Sequence, residues 1–368
     1  MKVAIDGRMI TYTGIGRYIQ NLVINLPAIS AGDSFAVLLG EKNIPLPDIE
    51  NLKIIKASRN IPVYSMGEQV FLPFEMKGTG ADILHYPSFN MPVVNFKPSV
   101  VTIHDLIYYL NPAACPSRAA YIYARVMFKI VSRAARKIIT DSEYSKNDII
   151  AHLGVDTAKV TAIPNGVGEM FKPEKDGKRR SEVREKYGIK GEYIFYAGSH
   201  QPRKNLVRLI EAYSRLKNAH GCAFVLTGKV EERRADVYAS VERFGVKGRV
   251  QFIGEAEEDD LPVLYSMARV FVFPSLFEGF GLPPLEAFAC GCPVVSSNVT
   301  SLPEVVGDAG IMVDPTDTGA IAGAIDRVLG SETLRSEMRE KGFTRAALFS
   351  WAACAEKTLA VYRDALDS

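Results

Sequence analysis

Two glutamates flank a glycine-rich turn in the second half of the chain. Glu278 and Glu286 lie on either side of Gly279-Phe280-Gly281-Leu282, shortly after the apolar run Val270–Phe273. In open α/β sheets, ligands bind outside the carboxyl ends of parallel strands, which is where this segment lies if the apolar run is such a strand. The glycines let the backbone approach a ligand closely and present its N–H groups. The pattern therefore predicts a site for an anion and for hydroxyl groups.

The residues after the turn predict a helix whose N-terminus faces the same site. Pro284 suits the first turn of a helix, and Gly291 and Pro293 mark its end. Free N–H groups and the helix dipole at that N-terminus favour an anion such as a diphosphate. Taken singly, Glu286 in the first turn is explained as a partner of the helix dipole, and Glu278 as a solvated loop acid. The two together, around the glycines, favour a binding site.

The elements that must position these residues alternate between short strands and helices along the whole chain. The predicted strands are 2–6, 35–39, 83–86, 99–103, 137–140, 160–163, 193–197, 223–227, 249–253, 270–273, 293–296 and 310–313. The clearest predicted helices are 117–135, 142–153, 205–217, 231–243, 259–267, 284–290 and 318–329. Such alternation is typical of parallel sheets with helices on both faces, so the predicted fold class is α/β with two doubly wound, Rossmann-like domains.

The division between the two domains is predicted near Pro164-Asn165-Gly166-Val167-Gly168. This segment opens a run rich in proline, glycine and charge that continues to about residue 188, a composition typical of linkers. The predicted domains are 1–168 and 169–349. A last helix over 350–368, with Ser350 as its N-cap, is expected to pack back on the first domain.

Composition restricts the class of protein and ligand. The chain is 47% hydrophobic and 23% charged with a net charge of +2, which is ordinary for a globular protein and too small to indicate a nucleic-acid partner. The five cysteines form no Cys-x-x-Cys pair and show no metal-ligand spacing with the histidines, so reduced thiols and no metal site are expected. The N-terminus lacks the pattern of a signal peptide and no run approaches about 18 apolar residues, so the expected location is the cytoplasm.

Glu278, Glu286 and the turn between them resemble the E-x7-E signature of glycosyltransferase family 4, a set of retaining enzymes with the GT-B fold. Similar segments follow in family order along nearly the whole chain. They include Asp6-Gly7-Arg8 with Gly14-Ile15-Gly16, Thr102-Ile103-His104-Asp105, Thr140-Asp141-Ser142, Ile163-Pro164-Asn165-Gly166, Arg203-Lys204-Asn205 and Leu302-Pro303-Glu304-Val305. The resemblance implies two Rossmann-like domains facing each other across a cleft, and a sugar transferred from a nucleotide-sugar donor.

The resemblance also implies roles for residues of the second domain. Glu286 would bind the ribose hydroxyls of the nucleotide. Glu278 would contact the donor sugar together with the backbone N–H groups of Gly279-Phe280-Gly281-Leu282. Arg203 and Lys204 would neutralise the diphosphate as it leaves, which is the main electrostatic demand of the reaction.

In the first domain, the resemblance implies that Gly14 and Gly16 let a loop approach the donor phosphates or the acceptor. His104, at a strand end, would face the cleft and hydrogen-bond the transferred sugar, although a lone histidine at such a position is more often structural. One position departs from the family. Where many members carry an arginine directly after the glycine of the strand-end loop, this chain has Ser199 after Gly198. The arginine of the Arg-Lys-Asn run would then supply the second cation from a different point.

No cofactor is expected, and the nucleotide sugar is a co-substrate. Asp105-Leu106-Ile107 is not the Asp-x-Asp pattern with which metal-dependent sugar transferases hold a divalent ion, and arginine, lysine and a helix N-terminus make such an ion unnecessary. Retention by double displacement needs a carboxylate beneath the anomeric carbon, for which Glu278 is the clear candidate. The resemblance favours instead a same-face route, in which the leaving phosphate helps to deprotonate the acceptor.

Helix 117–135 has two interpretations. Cationic and apolar side chains recur on separate faces: Arg118, Arg125, Lys129 and Arg133 on one, and Ile122, Val126, Ile130 and Ala134 on another. In the first interpretation the apolar face packs on the sheet of the first domain and the basic face is solvated. In the second the helix makes a weak peripheral contact with the inner face of an anionic membrane that carries a lipid-linked acceptor.

Several functions are compatible with these patterns. The favoured function is transfer of a hexose, mannose from GDP-mannose, to a saccharide or lipid-linked saccharide in polysaccharide or O-antigen-type biosynthesis. The alternatives are a UDP- or dTDP-sugar donor, a sugar-nucleotide 2-epimerase and a non-catalytic nucleotide-sugar-binding protein. A nicotinamide-dependent oxidoreductase is disfavoured because Gly14-Ile15-Gly16-Arg17-Tyr18-Ile19 lacks the third glycine of the dinucleotide fingerprint.

Overall fold

The computed structural model describes residues 1–42, 44–217, 221–229 and 234–367. The chain divides into two compact units, Met1–Gly166 with Ser350–Ser368, and Val167–Phe349. The sequence-based prediction placed its divisions after residues 168 and 349. Each unit has its own parallel sheet and its own hydrophobic core.

Among its described residues, the first unit has a seven-stranded parallel sheet with the order β3-β2-β1-β4-β5-β6-β7. The strands are β1 (Lys2–Asp6), β2 (Ser34–Leu39), β3 (Leu52–Lys56), β4 (Ile83–Tyr86), β5 (Ser99–Thr102), β6 (Lys137–Thr140) and β7 (Val160–Ala162). The helices are α1 (Gly14–Ile29), α2 (Met66–Gly78), α3 (Ile107–Leu110), α4 (Arg118–Ala134), α5 (Glu143–Leu153) and, at the end of the chain, α14 (Trp351–Asp367).

The described part of the second unit has a six-stranded parallel sheet with the order β10-β9-β8-β11-β12-β13. The strands are β8 (Tyr193–Ala197), β9 (Ala223–Thr227), β10 (Val250–Phe252), β11 (Val270–Phe273), β12 (Val294–Ser297) and β13 (Ile311–Val313). The helices are α6 (Gly177–Tyr187), α7 (Leu206–Ser214), α8 (Ala235–Arg243), α9 (Leu261–Met267), α10 (Leu282–Ala289), α11 (Leu302–Val306), α12 (Thr318–Gly330) and α13 (Glu332–Ala346).

The central strands are buried on both faces. All four residues of β4, β5 and β11 are buried, as are all five of β8. Parallel sheets are covered by helices on both sides, so their strands are continuous apolar runs rather than alternating ones. This is why the strand positions could be predicted from short apolar segments, and it confirms the α/β class.

Each sheet reverses its strand order at one point, between β1 and β4 in the first unit and between β8 and β11 in the second. The space outside the carboxyl ends of the strands at such a reversal is the usual ligand site of a doubly wound fold. In the second unit, Gly198 follows β8 and Pro274 follows β11. The two loops predicted to carry the chemistry therefore leave neighbouring strands at the same edge of the sheet.

Helix α4 buries a different face from the predicted one. Met127, Phe128 and Val131 are buried, whereas Ile122 and Val126 are exposed. The helix packs on the core of the first unit with its basic face exposed, as the first interpretation expects, but the expectation that Ile122 and Val126 lie on the packing face is wrong. The buried stripe carries the larger side chains at helical spacing, and these exclude more apolar surface from water. No helix in the described parts of the chain is long and apolar enough to cross a membrane.

Several elements were not located from the sequence, among them α11, α13, β3 and α6, and the last two show a physical reason. Strand β3 is an edge strand of largely exposed residues, so it lacks the apolar run that marks the central strands. Helix α6 lies inside the predicted linker, with Val183 as its buried residue, Asp176 as its N-cap and Gly188 as its left-handed C-cap. The prediction that the whole run to residue 188 is linker is wrong, because α6 has so little apolar surface that its charges conceal the helix.

The ends of two predicted helices fall partly outside the described residues. Residues 231–233 of the predicted helix 231–243 lie outside them, and α8 occupies the rest from Ala235. Residue 368 of the predicted C-terminal segment also lies outside them. The start of that segment is confirmed, because the backbone N–H of Ala353 donates to Oγ of Ser350 at 3.1 Å, and α14 packs against α1.

Candidate active site

The second unit concentrates charged side chains at the edge where β8 and β11 end. The loop after β8 leads into Arg203 and Lys204. The loop after β11 carries Glu278 and ends where α10 begins. Because β8 and β11 are neighbours in the sheet, these residues, far apart in sequence, come into contact.

Glu278 binds both cations directly. One carboxylate oxygen, Oε1, accepts a hydrogen bond from Nζ of Lys204 at 2.6 Å, and the other, Oε2, accepts one from Nη1 of Arg203 at 2.7 Å. Lys204 and Glu278 are buried, and Arg203 is partly exposed. A buried carboxylate that holds two cations in fixed positions leaves the cluster with one net positive charge, which suits an anionic ligand.

Backbone hydrogen bonds fasten the two loops to each other. Nη1 of Arg203 also donates to the carbonyl oxygen of Phe277 at 3.1 Å, and the N–H of Leu276 donates to the carbonyl oxygen of Arg203 at 2.7 Å. The ammonium of Lys204 lies 4.6 Å from the ring centre of Phe273, at the end of β11. The cations are thus held in place by contacts within the fold, which lowers the cost of orienting them toward a ligand.

The charge state of Glu278 follows from these contacts. Burial alone would raise the pKa of its carboxyl group, but Lys204 and then Arg203 lower that pKa below its usual value. Glu278 is therefore ionised at neutral pH. Its role is that of an acceptor and counter-ion, and it is not suited to act as a general acid.

Two residues that were not predicted as site residues shape the loop around Glu278. The N–H of Glu278 donates to Oγ1 of Thr300 at 3.2 Å, and Oγ of Ser301 donates to the carbonyl oxygens of Glu278 and Phe280 at 2.9 and 2.7 Å. Thr300 has a φ of 57°, a conformation that costs a β-branched residue free energy. Both residues follow β12, the neighbour of β11 in the sheet. Because sites form at the carboxyl ends of parallel strands, their position after β12 could have indicated them from the sequence.

Glu286 lies deeper in α10 than predicted. The helix begins at Leu282, with Pro283 and Pro284 in its first turn and Gly281 as its N-cap. Glu286 is therefore in the second turn, and the prediction of the first turn is wrong because the helix starts before its prolines. The side chain is buried and accepts a hydrogen bond from the hydroxyl of Tyr265 at 3.0 Å, so it is a buried acceptor rather than a partner of the helix dipole.

Backbone geometry requires glycine at several positions of the second unit. Gly281 has a φ of 133°, and a Cβ there would lie 2.9 Å from Cδ2 of Leu302. Gly198 has a φ of 150°. A Cβ on Gly228 would collide with the carbonyl oxygen of Gly198. The carbonyl oxygen of Ser199 accepts a hydrogen bond from the hydroxyl of Tyr196 at 2.9 Å. Gly198 and Ser199 thus shape the strand-end loop.

His104 lies in the first unit, directly after β5. Its Nδ1 hydrogen-bonds Oδ2 of Asp141 at 2.8 Å, and its Nε2 donates to the carbonyl oxygen of Pro87 at 3.0 Å. Burial alone would lower the pKa of His104, but Asp141 raises that pKa above its usual value. Because both ring nitrogens contact protein acceptors, the imidazole would have to give up one of these bonds to reach a sugar, as the prediction requires.

The two predicted glycines of the first unit differ in their surroundings. A Cβ on Gly16 would lie 2.6 Å from the carbonyl oxygen of Ile10, so this glycine permits α1 to pack against the preceding turn. A Cβ on Gly14, the first residue of α1, meets no atom within 4 Å. Close packing explains why residue 16 is a glycine. It does not explain why residue 14 is one, whereas contact with a ligand would.

The structure thus brings together part of the predicted site within the second unit. Arg203, Lys204 and Glu278 form one cluster, with Gly279-Phe280-Gly281-Leu282 leading from it into α10. In the described parts of the chain, no group of three or more histidine, cysteine, aspartate or glutamate side chains is placed to hold a metal ion.

Two family models match the chain, one in each half. Residues 12–169 match the model described as Glycosyltransferase Family 4, and residues 179–345 match the model described as Glycosyl transferases group 1.

Among curated proteins, the chain is 32% identical to the O-antigen chain mannosyltransferase B of Escherichia coli, over 99% of this chain and 100% of that protein. It is 31% identical to the serotype-specific mannosyltransferase WbdA of Escherichia coli, over 82% of this chain but 37% of that longer protein. Among solved structures, the sucrose-phosphate synthase of Thermosynechococcus elongatus superposes with a TM-score of 0.80 at 22% identity, covering 99% of this chain and 98% of that one. These matches agree with the α/β architecture of both units.

Proposed function

The chain belongs to glycosyltransferase family 4 and is a hexosyltransferase with the GT-B fold; from this premise we propose that it transfers mannose from GDP-mannose with retention of configuration. The proposed acceptor is a saccharide or lipid-linked saccharide in the assembly of an O-antigen-type polysaccharide. The proposed location is the cytoplasm, which suits a chain whose five cysteines are free.

The choice of mannose is supported by the relatives. One protein that matches this chain from end to end is named an O-antigen chain mannosyltransferase, and WbdA is named a serotype-specific mannosyltransferase. Both names give the same transferred sugar, and the first also names the class of polysaccharide. GDP-mannose is the donor that we expect to deliver mannose here, with UDP- and dTDP-sugars as the alternatives.

The observation that carries the proposal is the contact of Glu278 with Lys204 and Arg203. Transfer of a sugar adds one negative charge to a diphosphate that already has two, and prepositioned cations stabilise that charge as it develops. We assign this task to Lys204 and Arg203. Glu278 then exchanges part of its ion pairing for hydrogen bonds from hydroxyl groups of the donor sugar.

The nucleoside is assigned to the neighbouring helix. The buried carboxylate of Glu286 is held by Tyr265 on α9, so it is already oriented as an acceptor. Two vicinal hydroxyls of a ribose are the donors that such a carboxylate binds best. The backbone N–H of Leu282 at the start of α10, beside Gly281, would bind the diphosphate next to it, since Pro283 and Pro284 have no N–H.

The geometry of Glu278 favours a same-face mechanism. Double displacement requires a carboxylate oxygen that attacks the anomeric carbon. Both oxygens of Glu278 are hydrogen-bonded to cations, and these lower the carboxyl pKa and with it the nucleophilicity of the group. We therefore propose that the leaving phosphate accepts the acceptor's proton on the same face of the sugar.

Metal independence is proposed on the same basis. In metal-dependent transferases a divalent ion neutralises the diphosphate. Here Lys204 and Arg203 supply two positive charges at the corresponding step, so turnover should not require an added divalent ion.

The configuration of the product tests this mechanism. The enzyme is supplied with GDP-mannose and a panel of mannose-containing oligosaccharides in EDTA, and the new anomeric linkage is assigned by NMR. We expect an α-linked mannose, which keeps the configuration of the donor. A β-linked product, or transfer that stops in EDTA and resumes with Mg²⁺, would contradict the proposal.

A further inference from the structure

A cluster of buried charged and polar side chains lies where the first sheet reverses its strand order, and the proposed reaction does not use it. Arg8 follows β1 and donates from Nε and Nη2 to the two carboxylate oxygens of Asp6 at 2.8 and 2.7 Å. Nη2 also donates to Oε1 of Glu68 on α2 at 2.5 Å, and Nδ2 of Asn90, which follows β4, donates to the same oxygen at 2.5 Å. All four residues are buried, and we call them the Arg8 cluster.

The Arg8 cluster holds the segment that leads into α2. Removing charges from water is costly, and replacing a buried ion pair by apolar residues is often neutral or stabilising, so stability alone does not explain the cluster. Nη1 of Arg8 donates to the carbonyl oxygen of Ile61 at 3.1 Å. Oε2 of Glu68 accepts a hydrogen bond from the backbone N–H of Tyr64 at 2.9 Å. These bonds fix the backbone of residues 61–64.

The backbone of Tyr64 is held in an unfavourable conformation. Its φ is 61°, in the left-handed region that suits glycine. Residues in this region persist only where their surroundings constrain them, and they are common at ligand sites. The bond from Tyr64 to the buried carboxylate of Glu68 supplies that constraint. The observation to explain is therefore why this tyrosine is held in this position.

The ring of Tyr64 is the outermost of three aromatic rings that stack from the core to the surface. The ring centres of Phe128 and Phe89 lie 4.2 Å apart with 21° between the ring planes, and those of Phe89 and Tyr64 lie 5.4 Å apart with 26° between the planes. The exposed fraction rises from 1% for Phe128 through 9% for Phe89 to 41% for Tyr64. Because Phe89 covers one face of the Tyr64 ring, the stack presents the opposite side of that ring to a ligand.

The chemistry of this surface suits a neutral ring with an apolar face. Tyr108 on α3 adds a second exposed aromatic ring, centred 6.5 Å from that of Phe89. Arg8 is hydrogen-bonded to protein acceptors from all three of its side-chain nitrogens, so it does not favour an anionic ligand. A pyranose has C–H groups that pack against the negative face of an aromatic ring. A nucleobase would stack as well, but Glu286 of the second unit is the residue proposed to hold the nucleoside.

We propose that Tyr64 is a platform on which a pyranose ring of the acceptor glycan stacks, and that the Arg8 cluster positions this platform. The ligand is a neutral saccharide, and its place is the strand reversal of the first sheet, where doubly wound folds bind ligands. Arg8, Glu68 and Asn90 act through Tyr64 and are positioning residues. The inference rests on the proposed function in one respect, that the acceptor is a saccharide.

Binding without turnover tests the platform. Saturation-transfer difference NMR measures the affinity of the wild type, Tyr64→Ala and Tyr64→Phe for the mannose-containing oligosaccharides, with and without GDP and without a donor sugar. We expect Tyr64→Ala to bind about tenfold more weakly than the wild type, as for the loss of one aromatic stacking contact, and Tyr64→Phe to retain binding because it keeps the ring. A wild type that binds none of the oligosaccharides, or equal affinity in Tyr64→Ala, would overturn the proposal.

Steady-state kinetics separate this site from the donor site. In Tyr64→Ala the KM for the oligosaccharide should rise by about tenfold, whereas the KM for GDP-mannose should not change. Phe74→Ala is the matched control, because Phe74 is an exposed aromatic residue of the same unit outside the stack, and it should change neither KM. Equal changes in both KM values would overturn the acceptor role. If GDP-mannose supports no transfer but oligosaccharide binding still depends on Tyr64, the proposed donor fails and the platform stands.

Replacement by glycine distinguishes the ring from the backbone. Glycine adopts a φ of 61° without steric cost, so Tyr64→Gly should melt at or above the temperature of Tyr64→Ala. We expect it to bind the oligosaccharides as weakly as Tyr64→Ala does. Affinity like that of the wild type in Tyr64→Gly would overturn the stacking role of the ring.

A double-mutant cycle tests the positioning role. Glu68→Gln removes the charge that holds Arg8 and the N–H of Tyr64, so it should weaken oligosaccharide binding in the wild type but not in Tyr64→Ala, where the ring is absent. If Glu68→Gln melts below the temperature of the assay, Asn90→Ser takes its place, because it removes one donor to the same carboxylate oxygen. Equal losses in the two backgrounds, or no loss in either, would overturn positioning through Tyr64.

Discussion

Glu278 neutralises cations that the proposed reaction needs for another purpose. Lys204 and Arg203 are held 2.6 and 2.7 Å from its two carboxylate oxygens. An incoming diphosphate competes for the same cations, so donor binding and the release of Glu278 toward the sugar are coupled. In the proposed reaction, such coupling would let a buried carboxylate stabilise the two cations without blocking the donor.

Replacing this carboxylate should affect both stability and turnover. Glu278→Gln leaves two cations without their counter-ion, so we expect a loss of about 3 kcal/mol in the free energy of unfolding and a fall in kcat of about a hundredfold. Urea denaturation and steady-state kinetics measure these. Glu242→Gln is the control, because Glu242 pairs with Lys247 on the exposed surface, where a pair contributes little. Equal stability of the two variants would contradict the assignment.

Removing the buried lysine should act mainly on the transition state. For Lys204→Met we expect kcat/KM to fall by about 10²–10³, the usual effect of losing one group that stabilises a developing oxyanion. Lys178→Met, at an exposed lysine of α6, should leave kcat/KM unchanged. Retained activity in Lys204→Met would mean that the diphosphate leaves without this cation.

The pair of His104 and Asp141 predicts a pH dependence of stability in the first unit. The pKa of His104 is raised in the folded state, so the folded protein binds the proton more tightly than the unfolded one. The stabilisation is complete below the unfolded pKa of about 6.5 and is lost as pH rises through the raised folded pKa. Over this window, the free energy of unfolding should fall more steeply in the wild type than in Asp141→Asn, as measured by urea titration. Parallel curves would contradict the charged pair.

At the scale of elements, substitutions at the two glycines at the start of α1 distinguish a packing role from a functional one. Gly16→Ala should destabilise the protein by about 1–3 kcal/mol, because the new Cβ meets the carbonyl oxygen of Ile10 at 2.6 Å. Gly14→Ala meets no atom within 4 Å, so its melting temperature should stay within about 2 °C of the wild type. Its activity should nevertheless fall if Gly14 lies against the donor or acceptor. Full activity in Gly14→Ala would remove this glycine from the site.

The strands and the loops that follow them could be predicted because buried parallel strands are continuous apolar runs. The E-x7-E turn was predicted on the correct edge of the sheet for the same reason. Elements with little buried surface, β3 and α6, gave no such signal. The contact of Glu278 with Lys204 and the support from Thr300 and Ser301 depend on which strands are neighbours, and local sequence does not show that order.

For the molecule as a whole, the end-to-end match to a transferase decides between the broad alternatives. The chain aligns over 99% of its length with the O-antigen chain mannosyltransferase B, and both halves match glycosyltransferase models. A hexosyltransferase therefore fits better than a sugar-nucleotide epimerase or a binding protein without activity. The identity of the donor is a proposal, and we propose the cluster in the second unit as its binding site.

Donor binding by the whole chain is the most direct test of that claim. The melting temperature is measured with GDP-mannose, UDP-glucose, UDP-galactose, UDP-N-acetylglucosamine and dTDP-rhamnose in EDTA, for the wild type and for Glu286→Ala. A ligand at about a hundred times its dissociation constant adds about 2.7 kcal/mol, which is readily detected. We predict a shift with GDP-mannose alone, and a much smaller one in Glu286→Ala. A shift with a UDP- or dTDP-sugar instead, or an equal shift in both proteins, would contradict the account.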